Sequence, residues 1–168
     1  MITISNKKIE ESFQKKVITN ISCIGVDTAS RTGWCVVDTT DTECIFNYGF
    51  VDIKNQDKYF KYKQYIEIFQ SLLKSHYKVI IEESFYGRNV KTFQMLSRLG
   101  GFVYAVAHLK GVEDKSFLLA TSARKGVGIK GNLKKPLAHI EFKKKLGIDI
   151  DDEDIIDAVI LALNGILE

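Results

Sequence analysis

Asp157 constrains this chain more than any other residue, because it sits inside the apolar run Ile155, Ile156, Ala158, Val159 and Ile160. The run belongs to a segment from near Asp152 to Leu167 that reads as a helix, and a carboxylate carried into such an environment is costly unless something compensates it. A divalent metal would do so. Asp154 lies three residues earlier, on the same helical face and one turn away. Asp151, Asp152 and Glu153 are explained by capping and the helix dipole at an N-terminus; Asp157 lies too deep in the run for that account.

Two further carboxylates close apolar runs. Ile21 to Asp27 reads as a strand ending in an acid, followed by the small, polar loop Thr28 to Gly33. Trp34 to Val37 and Glu43 to Ile53 complete three consecutive strands, with Gly33 and the Asp38 to Asp41 cluster supplying turn chemistry. Asp57 to Tyr77 carries Tyr59, Phe60, Tyr62, Ile66, Phe69, Leu72 and Leu73 along one helical stripe. Val79, Ile80 and Ile81 then form a short continuous apolar run suited to a central strand, and Glu82 and Glu83 follow it.

Asn89 to Leu109 reads as a second helix with Gly100 and Gly101 in its interior, at about 1 kcal/mol per glycine relative to alanine. Such a pair implies close backbone approach, either to the sheet or to a second copy of the helix across a dimer axis. Ser116 to Ala120 is a further strand, a Gly- and Lys-rich loop runs to Lys135, and Pro136 opens a helix at a first-turn position. The expected architecture is a mixed α/β sheet of five strands flanked by helices. Residues 21–168 form one domain; residues 1–20, with Ile9, Phe13 and Val17 at helical spacing, form an arm or short helix.

Charge is unevenly placed. From Lys110 to Lys145 there are ten Lys or Arg against three acids, a net of plus seven, whereas Gly147 to Glu168 holds seven acids and no base. A basic stretch beside a carboxylate cluster suits a polyanion held next to bound cations. Cys23, Cys35 and Cys44 form no C-x-x-C pair and read as buried free thiols rather than a zinc site. His76, His108 and His139 are scattered and read as ordinary residues. No run reaches the roughly 20 apolar residues that span a bilayer, and the start lacks a secretory core, so the expected location is the cytoplasm.

Asp27, Glu82, Asp154 and Asp157 together are four hard oxygen donors, a set that suits Mg2+ or Mn2+. Two such ions about 3.5–4 Å apart can activate a water and stabilise a leaving oxygen, so phosphodiester hydrolysis is the matching reaction.

The segments Gly25-Val26-Asp27-Thr28-Ala29-Ser30-Arg31-Thr32-Gly33, Ile81-Glu82-Glu83-Ser84-Phe85 and Asp154-Ile155-Ile156-Asp157-Ala158 resemble the three metal-binding motifs of the RuvC-type Holliday junction resolvases. The resemblance runs from about residue 21 to residue 166. It implies a ribonuclease-H-like core, a homodimer, and a structure-selective endonuclease that resolves four-way and other branched DNA by paired nicks, with two Mg2+ or Mn2+ ions at each site. It further implies that Asp27, Glu82, Asp154 and Asp157 are metal ligands and that Lys134, in the basic loop, lies near the scissile phosphate. Phe85 falls where the family stacks an aromatic on an unpaired base. Arg31, Arg88, Lys91, Arg124, Lys125, Lys130 and Lys135 complete the expected DNA contacts. Thr28-Ala29 stands where the family usually has proline and glycine. The short length is similar to phage-encoded members, which implies a cytoplasmic setting in a bacterial host and no need for a branch-migration motor.

Two other functions are compatible with parts of the sequence. A catalytically silent branched-DNA-binding protein would need only the basic stretch. An actin-like phosphotransferase also carries a G-x-D loop with hydroxyls, but it requires a second lobe for which 168 residues leave little room.

Overall fold

The computed structural model describes residues 1–53, 57–85, 87 and 89–168, with the side chains of Lys58 and Tyr59 also left out. Its centre is strand β2 (Ser22–Asp27), where side chains alternate between two cores. Ile24 and Val26 enter one core, while Cys23 enters the other. Asp27 falls on the Cys23 side by the same alternation.

β3 (Arg31–Thr39) and β4 (Glu43–Asp52) continue from β2 as antiparallel neighbours. β1 (Ile2–Ser5) pairs antiparallel with β4, β5 (Tyr77–Glu82) runs parallel to β2, and β6 (Lys115–Leu118) runs parallel to β5. The order is β1-β4-β3-β2-β5-β6, a mixed sheet of six strands rather than the expected five. The additional strand comes from residues 1–20. Four residues with the polar alternation Ile-Thr-Ile-Ser form an edge strand by borrowing the hydrogen bonds of β4, which local composition does not announce. Helix α1 (Asn6–Phe13) follows, capped by the Ser5 hydroxyl accepting from the Lys8 amide, and buries Ile9 and Phe13.

Helices α2 (Lys58–Leu72) and α3 (Val90–Leu109) cover one face of the sheet. Of the stripe expected here, Phe69 and Leu73 are buried, Tyr62, Ile66 and Leu72 are half-buried and Phe60 is exposed, while the side chain of Tyr59 lies outside the described residues; the buried Tyr65 was not counted in it. The helix stops before Tyr77, which opens β5 instead. Asn89 caps α3 by accepting from the Thr92 amide. Of its glycine pair, a Cβ at Gly100 would press on Phe117 of β6, whereas one at Gly101 would meet nothing within 4 Å. Gly100 thus serves the sheet crossing and Gly101 faces outward.

The other face carries α5 (Lys135–Leu146) and α6 (Glu153–Ile166). Between β6 and α5 the expected loop contains a short helix, α4 (Ala120–Gly126), which buries only Ala123 and therefore shows no apolar period. The Asn164 amide of α6 donates to Ala123 O and fastens α4 in place. Cys23, Cys35 and Cys44 are buried free thiols. Among the described residues no helix is long and apolar enough to cross a membrane.

α6 lies directly on the sheet backbone. A Cβ at Gly25 would collide with Ala158 O and Ala162 N, and one at Gly33 with Asp154 O. Gly33 is therefore not a turn residue as expected; it pairs with Asp27 within the β2–β3 ladder and clears space for the helix. Gly25→Ala and Gly33→Ala are each expected to destabilise the fold by about 3 kcal/mol or more, because backbone rather than a flexible side chain must give way. Urea denaturation of the two variants measures this directly.

Candidate active site

Register places the first two acids. In the parallel β2–β5 pair Val26 is opposite Ile81, so Asp27 and Glu82 follow side by side at the C-terminal ends of their strands. Ile80, two before Glu82, belongs to the α6 side of the sheet, as Cys23 does, so both carboxyls face that helix. Open α/β sheets commonly bind ligands at this end of parallel strands. Glu83 takes the opposite course: its side chain is exposed and its amide donates to Leu118 O.

The loop after Asp27 is closed by Thr32, whose hydroxyl donates to Ala29 O at 2.6 Å and accepts from the Ala29 amide at 3.2 Å. Positive φ among the described residues is confined to Gln14, Asn20, Gly111, Gly128 and Gly147. Ala29 thus needs no glycine-only conformation, and Thr28-Ala29 can stand in for proline and glycine. The buried Tyr65 hydroxyl lies 3.2 Å from Thr32 Oγ1 and backs the loop.

α6 supplies the other two acids, and they lie in different surroundings. Asp157 is 7% exposed and faces a ring of bases: Lys135 Nζ at 2.7 Å from Oδ2, His139 Nε2 at 2.9 Å from Oδ1, and Arg124 at 3.8 Å from Oδ1. Asp154 is turned outward to Arg31, 2.8 Å away, and Arg31 also clasps Asp152 with both guanidinium nitrogens. The Phe50 ring lies flat against that guanidinium, 3.7 Å from its carbon.

Burial and charge act on these acids in opposite directions. Asp27 is held well above the usual carboxylate range, first by burial and then by the charge of Glu82 and their hydrogen bond. Burial also raises Glu82. Each carboxylate thus opposes the ionisation of the other. Burial would push Asp157 up as well, but the His139 hydrogen bond and the Lys135 ammonium outweigh it and hold the group below its ordinary value.

Among the described residues, no three carboxylate, imidazole or thiol groups meet as a ready cation cage. The reason is visible in the contacts: Arg31 draws Asp154 away, and Lys135 covers Asp157. The donor chemistry nonetheless fits a hard divalent cation, since the buried Asp27 and Asp157 and the half-buried Glu82 are oxygen donors whose mutual repulsion a cation would relieve.

Several sequence-predicted contacts are placed differently. Lys135 rather than Lys134 reaches the carboxylates; Lys134 is exposed and forms the N-cap position of α5. Arg124 is an inner residue of the site, 11% exposed, while Arg31 is engaged with Asp152 and Asp154. Lys125 and Lys130 line an open cavity of about 620 Å3 with Thr121, Gly131 and Asn132. Phe85 is 77% exposed and covers no sheet edge, Lys91 is exposed on α3, and Arg88 lies outside the described residues. His139, read from sequence as ordinary, is at the centre. Its position four residues after Lys135, hence on the same face of α5, was the available signal. A separate cavity of about 610 Å3, lined by Ser22, His76, Tyr77 and Lys78, opens at the far end of β2 and β5, away from the acids.

The model of the crossover junction endodeoxyribonuclease RuvC family matches residues 23–164. This chain belongs to the RuvC family. The match contains Asp27, Glu82, Asp154 and Asp157, and the family is one of endodeoxyribonucleases. The fold is that of Thermus thermophilus RuvC in complex with Holliday junction substrate, with a TM-score of 0.68 at 16% identity over 86% of this chain and 92% of that one. A second Thermus thermophilus RuvC structure gives 0.67 at 15% identity, covering 88% and 99%. No individual curated protein matches the chain. Both solved relatives share the ribonuclease-H-like sheet expected from the sequence.

Asp27→Asn is expected to stabilise the metal-free protein at neutral pH by roughly 1–2 kcal/mol, because a neutral amide beside Glu82 has no proton to retain on folding. The sign follows from the raised Asp27 value: the folded state keeps a proton that the unfolded chain has released, so this pair detracts from stability once pH exceeds the usual carboxylate value. The advantage of the variant over the parent should therefore shrink as pH falls toward about 4. Thermal melts of both proteins across pH, with chelator present, read the effect.

Proposed function

We propose that this RuvC-family chain is a metal-dependent endonuclease that resolves four-way and related branched DNA as a homodimer, cutting opposed strands by paired nicks. One observation carries the reading: Asp27 and Glu82, adjacent through strand register, lie beneath the helix that rests on the sheet backbone and carries Asp157 with its partner Lys135. Two carboxylates set side by side at strand ends, both held above their ordinary range, are the kind of perturbed pair that clusters at catalytic sites.

Asp27, Glu82 and Asp157 would hold Mg2+ or Mn2+, two ions per site, with Asp154 joining once released from Arg31. The bound ions supply Lewis acidity and an activated water for in-line attack on phosphorus. Lys135 is the cation of this chain placed to meet charge developing on the phosphate, a role the sequence resemblance had suggested for Lys134. Arg124 lies behind it in the interior. Lys125, Lys130 and Lys134, exposed along the same edge, are suited to grip the DNA backbone, which positions the substrate without reading its sequence. Phe85, exposed beside Glu82, is suited to stack on an unpaired base, a contact worth roughly 1–3 kcal/mol.

The homodimer reading rests on α3. Its outward face carries Val90, Gly101 and Tyr104, and Tyr104 stacks on Phe117 of β6 at 5.5 Å between ring centroids. An unencumbered glycine between the exposed Val90 and Tyr104 suits close approach of a second copy, and two copies would place two sites on one junction. The reading also implies a cytoplasmic enzyme that works without a branch-migration motor.

Two experiments test this. With a labelled four-way junction and Mg2+ or Mn2+, the parent should give symmetric nicks that ligase seals, while Asp27→Asn and Asp157→Asn should lose cutting by about 10^3-fold or more and bind the junction at least as tightly; cutting at the parental rate by either variant would refute the assignment. Tyr104→Glu should convert a dimer into a monomer by light scattering and uncouple the two nicks. A parent that is monomeric at cleavage concentrations and still nicks in pairs would refute the homodimer.

A further inference from the structure

Both oxygens of Asp157 are held by one helix. Lys135 and His139 stand one turn apart on α5, the ammonium on Oδ2 and the imidazole Nε2 on Oδ1. The two contacts differ in kind. Lys135 ends a flexible stem whose side chain is 39% exposed, whereas the His139 ring is 5% exposed. Around His139 the buried residues of α5 are Ala138, Phe142 and Leu146, so an apolar side chain would suit this position by packing alone. Among the described residues, His139 Nδ1 is buried with no hydrogen-bond partner, and the ring's polar contact is with Asp157. A buried polar group left half-satisfied calls for an explanation beyond packing.

We infer that His139 is a positioning residue: it fixes the Asp157 carboxylate through Oδ1 and thereby leaves Oδ2 as the oxygen that Lys135 gives up to a divalent cation. The inference rests on the metal-site reading above. Among the described residues no other ring orients this buried carboxylate: Arg124 lies farther off at 3.8 Å, and Lys135 ends a flexible, partly exposed stem. Holding one oxygen removes the torsional freedom that a ligand would otherwise lose when the cation binds. Removing such an outer partner typically costs 10–100-fold in metal affinity.

The test uses the full chain without DNA and measures Mn2+ affinity by electron paramagnetic resonance of the free ion. His139→Leu, which preserves apolar packing, should weaken Mn2+ binding about 10–100-fold, whereas His139→Gln, whose amide nitrogen reaches about as far as Nε2, should stay within about threefold of the parent. His139→Asn has the same polarity but a shorter reach, and should weaken binding as the leucine variant does. Urea midpoints establish that the variants compared are folded. If the leucine variant fails to fold, the glutamine and asparagine pair still decides the matter, because a merely structural polar role would not separate them by reach. Parental affinity in a folded leucine variant, or equal affinity in the glutamine and asparagine variants, would overturn the assignment of His139 alone. A parent that binds no Mn2+ at all would sink the metal-site reading and this inference with it.

Discussion

The site depends on α6 resting on bare backbone. Gly25 and Gly33 occupy neighbouring strands, and the space their missing side chains leave is filled by the main chain of α6 at Asp154, Ala158 and Ala162. Any side chain there would lift the helix off the sheet. With the helix in contact, Asp157 comes down over the ends of β2 and β5, where Asp27 and Glu82 already stand side by side. The chemistry thus follows from a steric condition on two glycines that touch no substrate.

A second condition is electrostatic. Three acids approaching one point repel, and the fold meets that repulsion by holding Asp27 and Glu82 above their ordinary range and by setting Lys135, His139 and Arg124 around Asp157. Of these bases, Lys135 is the one a hard cation would replace. Asp154 shows the same balance, since Arg31, stacked on Phe50 and paired with Asp152, holds it outside the cluster. A site built this way stores unfavourable charge that a bound ion relieves, the usual cost of placing function inside a fold.

The helices on this face divide the work. α6 is apolar from Ile155 to Ile166 apart from Asp157 and Asn164, and it carries two of the four acids. α5 brings Lys135 and His139 to one carboxylate, and α4, though only seven residues long, brings Arg124 because Asn164 ties it to α6. Exposed lysines then continue from this centre along the α4–α5 edge. The charge gradient along the chain becomes a spatial one, with acids at the centre and bases around it.

The amino-acid sequence by itself determined the candidate carboxylates and most of the strands and helices, because residue type and hydrophobic period are local properties. Asp157 in its apolar run, the strand-end acids Asp27 and Glu82, and the three motifs that resemble the RuvC family were all readable in order. So was most of the sheet. Tertiary structure decided what depends on contacts between distant segments. It added β1, which exists by pairing with β4, and α4, which is too short and polar to show a period. It gave Gly33 a packing role in place of a turn, brought Lys135 rather than Lys134 to the acids, and set Asp154 against Arg31. It also moved His139 from an ordinary helical histidine to the partner of Asp157, since only the packing of α5 on α6 brings residues 18 apart within 2.9 Å. Spacing along a chain fixes which side chains share a face; which face meets which is settled by burial and close packing over the whole domain.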